Sequence, residues 1–306
     1  MSGILTVLTK AIAFIFIIVM GYALKKKGFF AAKDFYLISR IVIRITLPCA
    51  IISNFSSLTM DNSLLFLCVI GILANLVMVG IGFLTNIRSG GDRTAFDMIN
   101  LSGYNIGNFT LPFVQSFLGP VGFAATSLFD AGNAVMCTGV TYTLASLAKG
   151  TGEKASPSSV VRSLLSSLPF DAYVIMTILA VCKIPLPSVV ISFASTVGGA
   201  NAFLALLMIG IGFEIHMEKE KLNRIIRLMV IRYGVAVVFA LGAFFLLPFP
   251  LPVRQAMTIV AFGPISSVAT AFTGRIGGDV ELSSAVNSLS IVLSIITITL
   301  TLILVL

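Results

Sequence analysis

Apolar residues run along most of this chain in long stretches, separated by short polar or proline-containing connections. A helix needs about 20 mostly apolar residues to cross a bilayer. On that measure the pattern predicts ten membrane-spanning helices, near 4–24, 35–53, 63–86, 95–117, 121–147, 168–183, 188–213, 224–247, 254–274 and 281–305. The sixth is short and is closed by Pro185 and Pro187. Two segments, the fourth and the ninth, repeat one design. The fourth carries Asn105, Gly107 and Asn108 before Pro112, and the ninth carries Gly263, Pro264, Ser266 and Ser267. Proline removes a backbone donor and clashes with the preceding turn, so both segments are expected to break near it. Broken helices in matching halves are a pointer to a transporter's binding site.

The composition agrees with this pattern. Of 306 residues 58% are hydrophobic and only 10% are charged, and the mean hydropathy is +1.07. A soluble domain is closer to ~25% charged, so a soluble protein with a large core fits poorly. Cys49, Cys68, Cys137 and Cys182 all lie in apolar segments without short paired spacing, as small core residues do. With the single histidine His216 and no His/Cys cluster, no metal site or cofactor is expected. No nucleotide-binding motif is present, which argues against a primary pump.

The net charge of +8 is explained by where the charges lie. Seventeen of the twenty lysines and arginines, Arg232 and Arg275 among them, fall after the odd-numbered segments or in the adjoining helix ends. Only Lys10, Lys183 and Arg254 fall on the other side. Basic residues accumulate on the cytoplasmic side. The asymmetry therefore predicts a multi-pass protein of the inner or plasma membrane with both termini outside, and needs no nucleic acid to account for it. The first segment is followed, not preceded, by its lysine cluster, unlike a cleavable signal peptide.

Ten segments divide into two units of five, 1–148 and 163–306, joined by a polar cytoplasmic linker at 149–162. An odd-numbered unit repeated once enters the membrane from the opposite side, as in many secondary transporters. Asn133 and Asn287 follow Pro112 and Pro264 by 21 and 23 residues. The predicted fold class is thus an all-α polytopic membrane protein, built as two inverted five-helix repeats with crossed, proline-broken fourth and ninth helices.

Polar side chains at membrane depth are costly and usually face a cavity or a partner. Asn105 and Asn108 share a helix face, and Gly107 allows close approach to the backbone. The alternative is that the asparagines only satisfy groups freed by the break. Ser266, Ser267 and Thr270 offer hydroxyls, which also serve as packing residues between membrane helices. Half-helix N-termini carry partial positive charge, so a crossing of two breaks suits a small organic anion. Asp130, an acid alone inside the fifth segment, is with Asn133 and Asn287 a candidate for proton or sodium coupling. A structural hydrogen bond is its bland alternative. Glu214 and His216 read as a solvated helix end. Pro48 and the run Gly198 to Asn201 are candidate kinks along the transport path, and Asn75 is a lone polar residue without an evident role.

In combination, Asn105, Gly107, Asn108 and Pro112, followed by Phe117, Gly119 and Gly122, resemble the auxin efflux carrier family, in particular its short bacterial members. Pro264 with its Ser/Thr tail, the run Gly277 to Leu282 and the stretch Arg44 to Pro48 resemble it too. The resemblance covers essentially the whole chain. It implies a scaffold bundle of segments 1, 2, 6 and 7, a transport bundle of the rest, and a substrate site beside the crossing. It also implies a homodimer and small carboxylate substrates such as malonate. The ninth segment lacks an asparagine beside its proline, a departure that weakens auxin itself as a substrate. Two other classes stand beside a transporter. One is a membrane sensor or partner subunit that transports nothing. The other is an intramembrane enzyme using Asp130, for which no acid or base partner is in view.

Overall fold

The computed structural model describes residues 2–56, 61–151, 156–213 and 221–306. Glu214, His216 and residues 152–155 of the predicted linker lie outside them. Among the described residues every regular element is helical: α1 (Ser2–Lys26), α2 (Asp34–Ser56), α3 (Asn62–Leu84), α4 (Gly91–Leu101), α5 (106–117), α6 (119–149), α7 (Pro157–Leu164), α8 (Leu168–Val181), α9 (Ser188–Gly212), α10 (Leu222–Leu246), α11 (Leu251–Ala261), α12 (Val268–Arg275) and α13 (Val280–Val305). Six of these, α1, α2, α3, α9, α10 and α13, are long and apolar enough to cross a membrane. The pair α7 and α8, bent by 78° at its junction, makes a seventh if taken as one span. Helix α7 falls largely inside the stretch expected to be linker. Its start is fixed by Ser156, whose hydroxyl accepts from the Ser159 amide at 3.1 Å, and by Pro157 in the first turn, where a missing N–H costs nothing.

The surface is apolar and the interior holds the polar groups, as the bilayer demands of a spanning bundle. Leu304, Leu246 and Val189 are each more than three-quarters exposed, while Asn75, Asp97, Asn100 and Ser283 are fully buried. Lipid offers no hydrophobic drive between helices, so close backbone approach matters. A Cβ on Gly132 of α6 would run into the Cys68 carbonyl oxygen of α3, and one on Gly210 of α9 into the Ile18 carbonyl oxygen of α1. Around these contacts α9 packs along α1 and α2, with α8 on α2. Separately, α3 packs on α4 and α6, and α11 on α6 and α10. Helices α12 and α13 close against α4, where Asn100 donates to Thr273 Oγ1 (3.0 Å) and accepts from Ser283 Oγ (2.6 Å).

Proline acts differently from the expectation at Pro112. The helices do not break at Pro48 or Pro112. Each is preceded by a π turn, Val42–Thr46 and Ile106–Thr110, ending two residues before the proline. The wider turn accommodates the ring and the missing donor without ending the helix. The first break lies earlier, at residues 102–105, where Gly103 takes φ +76°. That left-handed conformation costs a residue with a side chain roughly 1–2 kcal/mol. In the second break Pro264 does sit in the unwound stretch, between Gly263 and Ile265. The kink candidates of α2 and α9 face each other in packing. Gly198 rests on the Cys49–Ala50 backbone, and Thr46 donates to Asn201 Oδ1 at 3.0 Å.

Candidate functional site

The two breaks touch. The Asn105 amide donates to the Pro264 carbonyl at 2.9 Å, and a Cβ on Gly103 would lie 3.1 Å from Ser266 Cβ. Unwound backbone inside a membrane protein must find partners for its peptide groups. At the first break they come from two asparagines. Asn75 of α3 accepts from the Gly103 amide (2.7 Å), and Asn133 of α6 accepts from the Tyr104 amide (3.0 Å) while donating to the Tyr104 carbonyl (2.8 Å). The two amides are tied to each other at 3.1 Å. Asp130 anchors Asn133 from below, accepting from its Nδ2 at 2.9 Å, and also accepts from the Tyr173 hydroxyl of α8 at 3.1 Å.

At the second break α13 does the same work more loosely. Ser290 Oγ accepts from the Ile265 amide at 3.1 Å, and Asn287 Nδ2 reaches the Ser266 carbonyl at 3.5 Å, the limit of a hydrogen bond. One residue serves both breaks. The guanidinium of Arg232, on α10 and only 3% exposed, donates to the carbonyls of Leu101 and Gly103 in the first break and of Gly263 (2.9 Å) in the second. It also lies 4.8 Å over the Tyr104 ring. The C-terminal ends of α4 and α11 thus converge on a positive charge, as their dipoles favour.

On the opposite side of the crossing is a cavity of about 720 Å³. Asn105 and Asn108 line it from the first break and Ser267 and Thr270 from the second. Ser284, Asn287 and Ser288 of α13 complete a polar wall, and Arg275 stands at the end of α12. The facing wall, from Phe35 and Ile43 of α2 and Met208 and Ile209 of α9, is mostly apolar. Asn108 Oδ1 is enclosed and takes no hydrogen bond from any described residue, a demand that a ligand can meet. Among the described lining residues Arg275 is the one ionised side chain, and no carboxylate is present.

A family model described as membrane transport protein matches residues 6–302. The chain belongs to the auxin efflux carrier family of membrane transporters. A search of curated proteins returned no significant match.

In this carrier-family protein the candidate residues separate into three groups. Asn105, Asn108, Ser267 and Asn287 come together in the cavity. Gly107, Gly263, Pro264 and Ser266 sit in or beside the crossing itself. A Cβ on Gly107 would meet Leu47 of α2 at 3.1 Å and Asp130 Oδ2 at 3.7 Å, and one on Gly263 would meet Thr110 Oγ1 at 2.9 Å. Ser266 turns to the far side, beside Cys137 and Thr141. Pro112 is buried inside α5, and Asp130 and Asn133 stand behind the first break, away from the cavity lining. Sequence reasoning passed over three residues. Asn75, left without a role, holds Gly103. Arg275 and Arg232 were counted only as charges setting orientation, although Arg232 lies ten residues into an apolar helix, too deep for a helix-end marker.

Proposed function

We propose that this protein is a secondary transporter that carries a small organic anion through the cavity beside the crossing, by alternating access. The observation that carries the substrate class is the cavity's chemistry: three carboxamides, several hydroxyls and one arginine, with no acid among its described lining residues. Its volume lies within the range of small-molecule sites. The N-terminal ends of α5 and α12 border it, adding positive potential where a carboxylate would sit.

In this reading the chain crosses the membrane ten times, with α4–α5 and α11–α12 each forming one broken span and the two halves inverted. The reciprocal use of Asn133 and Asn287, each bonding the break of its own half, supports that repeat. Helices α1, α2, α8 and α9 form the scaffold and the others the moving bundle, since the cavity has one wall from each set. Its exposed residues Tyr36 and Arg275 lie at the helix ends rich in lysine and arginine, so the cavity faces the cytoplasm. At the opposite end Phe14 of α1 packs on Phe113 (5.0 Å) and Phe117 (5.9 Å), and Lys10 donates to the Ser116 carbonyl at 2.9 Å. These contacts close the outer side and must part for outward opening. Asp130 is the candidate for proton coupling, because its bond to Tyr173 joins the two bundles.

Uptake of labelled malonate and a panel of other small carboxylates into proteoliposomes tests the reading. Loss of one charge-assisted contact, at about 1.5–3 kcal/mol, should raise the half-saturating concentration of the Arg275→Ala and Asn108→Ala variants roughly 10- to 100-fold. If no carboxylate is taken up, or if both variants match wild type, the cavity is not an anion site.

A further inference from the structure

The crossing has two faces, and the second carries its own chemistry. Broken-helix transporters commonly bind a coupling cation through carbonyls of the unwound backbone and the C-terminal ends of half-helices. Here Leu101, Gly103 and Gly263 present such carbonyls from both breaks toward one point, and the point is filled by the Arg232 guanidinium. We infer that Arg232 is a tethered substitute for a coupling sodium ion, so that the crossing assembles, and the cavity binds its anion, without sodium.

Four observations and one general property of arginine carry this. The three acceptors come from both breaks, so the side chain bridges them as a shared cation would. The group is 3% exposed, which excludes a role as a surface charge. Among the described residues no carboxylate forms an ion pair with it. Its charge is met by backbone dipoles and the Tyr104 ring, the same kind of partners that satisfy a bare cation. Finally, arginine stays protonated in proteins, so the cation is present at any working pH. A sodium ion in the same carbonyl cage would place a second positive charge against the guanidinium without an anion to offset it.

Asp130 is not one of the acceptors in this carbonyl cage. Its two oxygens already accept from Asn133 and Tyr173. The permanent charge also sits behind the N-terminal ends that border the cavity, and adds to the field attracting an anion there.

The inference rests on the transport reading for its consequence in uptake, but its main test needs no substrate. Thermal unfolding of the purified full-length protein is compared in sodium chloride and in choline chloride at equal ionic strength. Wild type should melt at the same temperature in both, within about 1 °C. A sodium-specific rise above about 2 °C, the size expected of a ligand that binds the folded state, would overturn the inference. The Arg232→Ala variant should melt lower and recover part of the loss in millimolar guanidinium, a response wild type should lack. A folded Arg232→Ala protein indifferent to both guanidinium and sodium would also overturn it. Should that variant fail to fold, the wild-type comparison still decides. In proteoliposomes, malonate uptake should keep its rate when choline replaces sodium, and a several-fold fall would count against a built-in cation. Absence of malonate uptake altogether would bear on the substrate, while the melting comparison would still stand or fall alone.

Discussion

Removing the Asn133 side chain should weaken the protein far more than the matching change at the second break. Asn133 makes four short hydrogen bonds, with the Tyr104 amide, the Tyr104 carbonyl, Asp130 and Asn75, and its Oδ1 also accepts a longer one from the Cys137 thiol at 3.5 Å. In Asn133→Ala the Tyr104 amide loses its acceptor inside the protein, which costs roughly 1–3 kcal/mol for a buried donor. The other three short bonds, at about 0.6 kcal/mol each for side-chain bonds between membrane helices, bring the loss to about 3–5 kcal/mol. For a domain of comparable size each kcal/mol moves the midpoint by about 2–4 °C, so thermal unfolding in detergent should drop by roughly 10 °C. The matching change at the other break, Asn287→Ala, removes one bond at 3.5 Å and should cost less than about 1 kcal/mol. Equal shifts for the two variants, or a drop below about 2 °C for Asn133→Ala, would refute the claim that Asn133 carries the first break.

Gly103→Ala combines a left-handed backbone at φ +76° with a new carbon 3.1 Å from Ser266 Cβ, whereas Gly119→Ala at φ +61° meets nothing within 4 Å. Both should cost roughly 1–2 kcal/mol for conformation, and only Gly103→Ala should lose more, measured as the difference between the two midpoints. At the start of α13, partial burial of Asp279 opposes its charge, but the Leu282 amide (2.9 Å) and the Lys221 ammonium (2.9 Å) outweigh it and hold the carboxyl below its ordinary 3.8. A lowered folded value contributes stability above the ordinary carboxyl range and loses it as pH falls through the lowered value. The midpoint difference between wild type and Asp279→Asn should therefore be full at neutral pH and vanish once the pH falls below the lowered value. A difference that persists in acid would assign the role of Asp279 to something other than its charge.

The positions of α1, α2, α3, α9, α10 and α13 were legible because lipid imposes a run length on apolar sequence, and their bounds differ from the expected ones by only a few residues, whereas α7 was not expected. The details that decide the site were less accessible. A proline in sequence does not say whether its helix will break or widen, and at Pro112 a π turn absorbed the ring. The marker of the first break was Gly103, a glycine with no special neighbours in sequence, singled out only by its positive φ and its contact with Ser266. Asn75 and Asn133 are 58 residues apart, so their shared hold on one break is a product of α3–α6 packing and leaves no local pattern. Arg232 could have been found. An arginine ten residues inside an apolar helix must be satisfied by something buried, and that demand alone separates it from the basic residues at the helix ends.

The two breaks resemble each other in sequence but are restrained unequally, and the inequality bears on how the crossing would work. The first break is tied from behind by Asn75 and Asn133, with Asp130 fixing Asn133 in turn. From α13 the second is held by one hydroxyl and by an amide at the limit of bonding distance, besides the Asn105 amide that bonds its Pro264 carbonyl. Arg232 joins them, giving two carbonyl contacts to the first and one to the second. The first break is therefore the fixed side of the cavity, with Asn105 and Asn108 as preset donors and acceptors. The second, with Ser267 and Thr270, is the side that can adjust to a ligand at small cost. If the cavity takes the proposed anion, a site divided in this way gains specificity from the rigid amides, because a misplaced group there leaves a buried polar atom unmet. It keeps room for movement in the hydroxyl side, which the crossing needs if it is to pass a bound anion from one face of the membrane to the other.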